Sequence, residues 1–183
     1  TSNQSKAFKE ADFIIVCTPT DFNEETKSFD TSIVDNFEKN VYKLNKDALI
    51  VIKSTIPNAY TEKLRKKYKT NNIVFSPEFL REGRALEDNL YPSRIIVSNE
   101  SEKSLDFSKM LLEMAIPDKV DLVSMGSNEA EAVKLFSNSY LAMRVAFFNE
   151  VDSFALSKNL NAKDIITGIS LDSRIGDYYN NPS

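Results

Sequence analysis

Short apolar runs rich in β-branched residues alternate with stretches of helical spacing, and no other feature of this chain restricts its fold as strongly. The runs are FIIVC (13–17), ALIVIK (48–53), NIVFS (72–76), RIIVS (94–98) and VDLVS (120–124). Each is almost continuously apolar, as a strand buried on both faces requires. Between the first two, Ile33, Phe37, Val41 and Leu44 recur at helical spacing after Asp30, a candidate N-cap. Tyr60, Leu64 and Tyr68 mark a second helix, and Leu105, Leu111 and Leu112 a third that Ser101 could cap. Strands that alternate with helices in this way predict a parallel, doubly wound α/β sheet.

A complete dinucleotide-binding sheet carries two further strands and a G-x-G-x-x-G turn ahead of such a series. Only four glycines occur among the 183 residues, the first at Gly83. The expected architecture is therefore a partial Rossmann-like parallel sheet, with its amino-terminal part and phosphate-binding turn lying before residue 1. From Ser127 to about Lys158 the pattern changes to a single long helix, with Asn128-Glu129-Ala130-Glu131 suited to its capped start. At about 1.5 Å per residue such a helix is roughly 45 Å long. Apolar side chains (Val133, Leu135, Phe136, Leu141, Val145, Phe147, Phe148, Val151, Phe154) circle nearly its whole girth, which predicts burial on most sides and a partner chain against it. A shorter helix over 162–170 and the loop-like SRIGDYYNNPS complete the chain. The predicted division is a cofactor domain over 1–126 and a central helical domain over 127–183.

Charge and composition narrow the chemistry. With 23 Lys+Arg against 27 Asp+Glu the net charge is -4, so no basic field is available for nucleic acid. No apolar run approaches the ~20 residues of a membrane helix, and the first residues carry no signal-peptide pattern, so a cytoplasmic location is expected. One cysteine and no histidine leave no internal disulfide and no Ser-His-Asp triad within the chain, and argue against a zinc site. Cys17, at a strand end in an apolar run, is read as a buried structural thiol more readily than as a nucleophile.

Several residues could carry chemistry. Lys134 and Asn138, four apart, share a helix face with Leu141 and Val145. A buried ammonium there needs an anionic partner, a carboxylate, a phosphate or a developing oxyanion, although a lysine snorkelling to solvent has the same spacing. In FSPEFLREG, after the third strand, Glu78 and Glu82 could act as acid or base near Arg81 and Arg84, or remain solvated loop charges. Ser54-Thr55 ends the second strand and Thr20 follows the first; either hydroxyl could hold a water or a cofactor amide, or only cap a helix.

In order along the chain, VCTPT, IKSTIP, FSPEFLREG, NLYPSRIIV, NEAEAVKLFSN, RVAFFNEVD and RIGDYYNNPS resemble the UDP-glucose/GDP-mannose dehydrogenases over nearly all of its length. PEFLREG resembles the UDP-glucose branch of that family. The resemblance implies a four-electron, NAD-dependent oxidation of the sugar C6 hydroxyl of UDP-glucose to the carboxylate of UDP-glucuronate, through an aldehyde and a cysteine thioester. It implies that Thr55 holds the catalytic water beside the nicotinamide, with Thr20 near the cofactor. By that resemblance Glu82, also at the cofactor, would assist thioester hydrolysis through a water. By the same resemblance, Glu78, Phe79, Leu80, Arg81 and Glu82 would line the sugar and diphosphate, largely through backbone groups, and Lys134 and Asn138 would stabilise an oxyanion. Arg174 would reach a sugar in a neighbouring subunit, Tyr179, Asn180, Asn181, Pro182 and Ser183 would cover the uridine, and the long helix would form a homodimer core. Cys17 does not match the family's nucleophile, which the resemblance places after Ser183.

Overall fold

The computed structural model describes residues 3–20, 22–25, 27–81, 83–98 and 101–182. In chain order the elements are α1 (Gln4–Lys9), β1 (Phe13–Val16), β2 (Phe22–Asn23), β3 (Ser28–Phe29), α2 (Ser32–Leu44), β4 (Leu49–Ile52) and α3 (Tyr60–Tyr68). They continue with β5 (Ile73–Phe75), α4 (Ala85–Leu90), β6 (Arg94–Ser98), α5 (Glu102–Met114), β7 (Asp121–Met125), α6 (Ser127–Ser157) and α7 (Ala162–Ser170). All five apolar runs are strands, and the three long helical patterns before Ser127 are helices. However, β7 is exposed at 121–124 rather than buried on both faces, since among the described strands it pairs only with β6, at a sheet edge.

The chain forms two compact units, Thr1–Lys134 and Leu135–Ser183. In the first, β1, β4 and β5 form a parallel sheet in that order, with Phe13 opposite Leu49 and Ile50 opposite Ile73. A second parallel ladder joins β6 to β7, with Arg94 opposite Asp121. No backbone ladder joins β5 to β6; side chains bridge them instead. The Phe75 amide donates to Ser98 Oγ at 2.9 Å, and Ser76 Oγ donates to the Ile96 carbonyl at 2.9 Å. Two buried serines thus satisfy backbone groups that strand pairing would otherwise use.

Alternate side chains of these strands build two cores, the arrangement that doubly covered parallel strands require. Ile14, Val16, Ile50, Ile52, Ile73 and Phe75 pack with Val34 and Val41 of α2 and Leu64 of α3. Leu49, Val51, Val74, Ile95 and Val97 pack with Phe107 of α5. Burying each such side chain contributes about 1.5–3 kcal/mol.

Helix ends follow local chemistry, with one correction. Ser101 caps α5 through a reciprocal pair of bonds with Ser104, as predicted. The N-cap of α2 is Thr31 rather than Asp30. Asp30 instead accepts the Ser32 amide at 2.9 Å, closing a turn one residue before the helix, a bond that short acidic side chains form readily.

The long helix requires a larger correction. It runs over 31 residues as predicted, but it is not buried on most sides. Phe136 is 69% exposed and Leu156 82%, with Tyr140, Met143, Phe147 and Phe154 also open. Within the Leu135–Ser183 unit only Phe148 and Ala155 are buried among the described apolar residues, because the elements beside this part of α6 are a nine-residue helix and a loop. Arg144 ties that loop to α6, donating to the carbonyls of Ile175 (2.8 Å), Gly176 (3.3 Å) and Tyr178 (2.9 Å). Gly176 has φ +68°, a conformation that favours glycine.

Candidate active site

Ligands bind open α/β sheets at the carboxyl ends of the strands, and here the ends of β1, β4 and β5 are laced together by side chains. Ser54 Oγ donates to the Thr18 carbonyl at 2.6 Å, and Thr20 Oγ1 donates to the Thr55 carbonyl at 2.6 Å. Thr20 and Thr55, separate candidates in the sequence, therefore belong to one joint.

Beyond β5, Glu78 occupies the centre of the site. Its carboxylate lies 3.7 Å from Lys53 Nζ, and the Cys17 thiol lies at 3.7 Å from the same oxygen. Its backbone carbonyl accepts Lys134 Nζ at 2.5 Å. Lys134 thus does not snorkel. It is half-buried on α6, over the Phe79 ring at 5.6 Å from the centroid. The Arg94 guanidinium stacks on that ring at 3.7 Å. Loss of hydrating water lowers the Lys134 pKa below the ordinary lysine value; the charge of Glu78 opposes this and that of Arg94 reinforces it. An ammonium has three donors. With one on the Glu78 carbonyl, the others can meet an oxyanion.

Cys17 departs from the expectation of a buried structural thiol, for the residue is exposed. Val16 ends β1, so Cys17 has already left the covered strand for the loop beyond it. Partial burial of the sulfur, followed by the adjacent Glu78 charge, raises its pKa. The thiol is held protonated, the opposite of an activated nucleophile.

The remaining candidates divide by unit. Phe79 and Leu80 are half-buried beside Glu78, whereas Arg81 is exposed. Arg81 is committed to Asp88 of α4 by a 2.5 Å ion pair, and a further bond runs from its own amide to the same carboxylate. Those two contacts hold the Asp88 pKa down at about 2. Arg84 is tied to Glu87. The arginines of this loop are therefore engaged locally, by Asp88 and Glu87. In the second unit, Asn138 is exposed four residues after Lys134 on α6. Arg174 pairs with Asp172 at 2.6 Å. Tyr179 has φ +54°, Asn180 donates to Ser170 Oγ at 3.0 Å, and Asn181 and Pro182 are exposed. Glu82 and Ser183 lie outside the described residues.

The sequence reading passed over Lys53 and Arg94, which sit at the two ends of strands read only for hydrophobicity. A charged residue that closes or opens a fully buried strand must find a partner at the strand's edge, and that was the available signal.

Two family profiles match. The UDP-glucose/GDP-mannose dehydrogenase family NAD binding domain matches residues 1–116, and the central domain of the same family matches residues 128–183. UDP-glucose 6-dehydrogenase of Campylobacter jejuni is 52% identical over all of this chain, which covers 47% of that protein. The Streptococcus pneumoniae UDP-glucose 6-dehydrogenase is 46% identical over 96% of this chain and 46% of its own length. The chain thus spans about half the length of these relatives. Among solved structures, a UDP-glucose dehydrogenase from Pyrobaculum islandicum superposes with a TM-score of 0.85 at 28% identity, covering 100% of this chain and 44% of that one. A GDP-mannose dehydrogenase from Pseudomonas aeruginosa shares the fold, at a TM-score of 0.84 and 18% identity over 100% of this chain and 44% of that one. The chain belongs to the UDP-glucose/GDP-mannose dehydrogenase family, with the strand-end joint and Glu78 in its NAD binding domain and Lys134 in its central domain.

Proposed function

We propose that this chain supplies part of the active site of a UDP-glucose 6-dehydrogenase. In the reaction, UDP-glucose, two NAD⁺ and water give UDP-glucuronate, two NADH and three protons. The observation that carries this reading is Lys134, a half-buried cation whose ammonium is anchored to the Glu78 carbonyl and retains donors for a developing oxyanion.

NAD, when bound, supplies the hydride acceptor. The residues present suit its nicotinamide end: Thr20 and Thr55, joined at the strand ends, would hold it there. Thr55 would also orient the water that hydrolyses the thioester, and Glu82 would take that water's proton. Lys134 and Asn138 would donate to the sugar oxygen as its charge grows. Glu78 to Glu82, mostly by backbone groups, would hold the sugar and diphosphate, which fits the engagement of Arg81 by Asp88. Arg174 would serve a partner's sugar, and 179–183 the uridine.

A homodimer built on α6 accompanies this reading. It would cover Phe136, Tyr140, Met143, Phe147 and Phe154, which an isolated chain leaves exposed.

The test is NADH formation by the complete gene product with UDP-glucose, UDP-N-acetylmannosamine and GDP-mannose in parallel. Turnover should be found with UDP-glucose. Turnover with either rival and none with UDP-glucose would overturn the substrate assignment.

A further inference from the structure

Helix α3 begins without a cap of its own. Its N-cap residue, Ala59, is left-handed at φ 66° and has no side chain able to accept a hydrogen bond. The first amides of a helix need acceptors, and a residue seventy positions away supplies one. Glu131 of α6 accepts the Thr61 amide at 2.8 Å. Its other oxygen, Oε2, is buried with no hydrogen-bond partner among the described residues, and the Tyr60 amide donates to the Pro57 carbonyl at 3.3 Å. Glu131 is 1% exposed, among the most deeply buried side chains of the molecule. Burial raises the Glu131 pKa, and the Thr61 amide at the start of α3 opposes that shift.

Around this contact α3 and the residue before its cap are stitched to the start of α6. Arg65 donates to Ser127 Oγ at 2.7 Å, Asn58 Nδ2 to the Asn128 carbonyl at 2.8 Å, and Asn128 Nδ2 to Glu62 at 3.2 Å. The two sides of the seam lead directly into the candidate site. Thr55 lies four residues before Ala59, and Lys134 lies three residues after Glu131, one turn along a rigid helix.

We propose that Glu131 is a positioning residue: by capping α3 from α6, it fixes Lys134 relative to Thr55 and the Glu78 carbonyl. This rests on the proposed role of Lys134. Glu131 touches no ligand and acts through the lysine's placement. A carboxylate contributes more than bulk here, since the acceptor oxygen at the Thr61 amide sets the rotation and advance of α6 where Lys134 leaves it.

A double-mutant cycle in the complete gene product tests this, using Glu131→Gln, Glu131→Ala, Lys134→Ala and the two doubles. Glu131→Ala should lower kcat about tenfold or more with KM for NAD within about twofold, and Glu131→Gln, which keeps an acceptor oxygen, should recover part of the loss. In the Lys134→Ala background neither Glu131 substitution should lower kcat further, because the group it positions is gone. A merely structural role predicts otherwise: reduced melting temperature with normal kcat per folded molecule, or losses that multiply with that of Lys134→Ala. Either result overturns the inference. Normal turnover of Lys134→Ala alone defeats the underlying reading of the site, and the two failures are thereby distinguished. Should Glu131→Ala not fold, Glu131→Gln completes the same cycle.

Discussion

The Thr1–Lys134 unit encloses a core of its own, whereas the Leu135–Ser183 unit leaves most of its large apolar side chains uncovered. Both are rich in hydrophobic residues, so composition does not separate them. Strands that pair and are covered on both faces remove every second side chain to each of two cores. A helix whose apolar residues circle its girth cannot be covered by one short neighbour. The first unit is therefore stabilised by burial, and the second by helix formation and by Arg144 holding the loop carbonyls.

Substitutions can break this contrast, beginning with the largest effect. Ile52→Ala, in the middle of the first core, should lower unfolding free energy by about 2–5 kcal/mol in denaturant melts. A loss under 1 kcal/mol would mean that the sheet is not the dominant core. Arg144→Met should cost less, about 1–2 kcal/mol, since three carbonyls lose a charged donor at a partly exposed position. Limited proteolysis should then cut within 172–179 much faster than in the parent; unchanged cleavage would show that the loop does not depend on this arginine. Phe136→Ser, at an exposed site, should leave the stability of the monomer within about 0.5 kcal/mol. Under the proposed homodimer it should weaken self-association in sedimentation, and an unaltered dimer would remove Phe136 from that interface.

The smallest effect is electrostatic. Burial lowers the folded-state pKa of Lys134 beneath the ordinary 10.5. Between the two values the unfolded chain holds a proton that the folded chain has released, so the contribution of Lys134 to stability rises with pH across that window. Lys134→Met should flatten this rise. A stability curve above neutral pH identical to that of the parent would indicate no such shift.

The five strand runs were legible and lie where the pattern placed them. Full cover holds for β4 and β5 and not for β7, which is exposed at 121–124; an apolar run shows extended structure without showing what covers it. The start of α2 was less legible: Asp30 and Thr31 can both cap, and the choice depends on a turn geometry that neither residue announces. The girth of α6 was legible too, but its covering was not, because apolarity shows the need for a partner without supplying one. In the candidate site Lys134 and Glu78 were identifiable, while the roles of their mutual contact, of Lys53 and of Arg94 depend on which strand ends meet. Glu131 illustrates the same limit: it read as part of the start of its own helix and instead caps another seventy residues earlier.

The central claim is that Lys134, held at the Glu78 carbonyl, supplies the positive charge for an oxyanion. It is tested most directly by the turnover of Lys134→Ala in the complete gene product with saturating UDP-glucose and NAD. The account predicts a fall of about a hundredfold or more with the fold intact by circular dichroism. Turnover within about threefold of the parent would contradict it, since so small a change is under 1 kcal/mol of barrier.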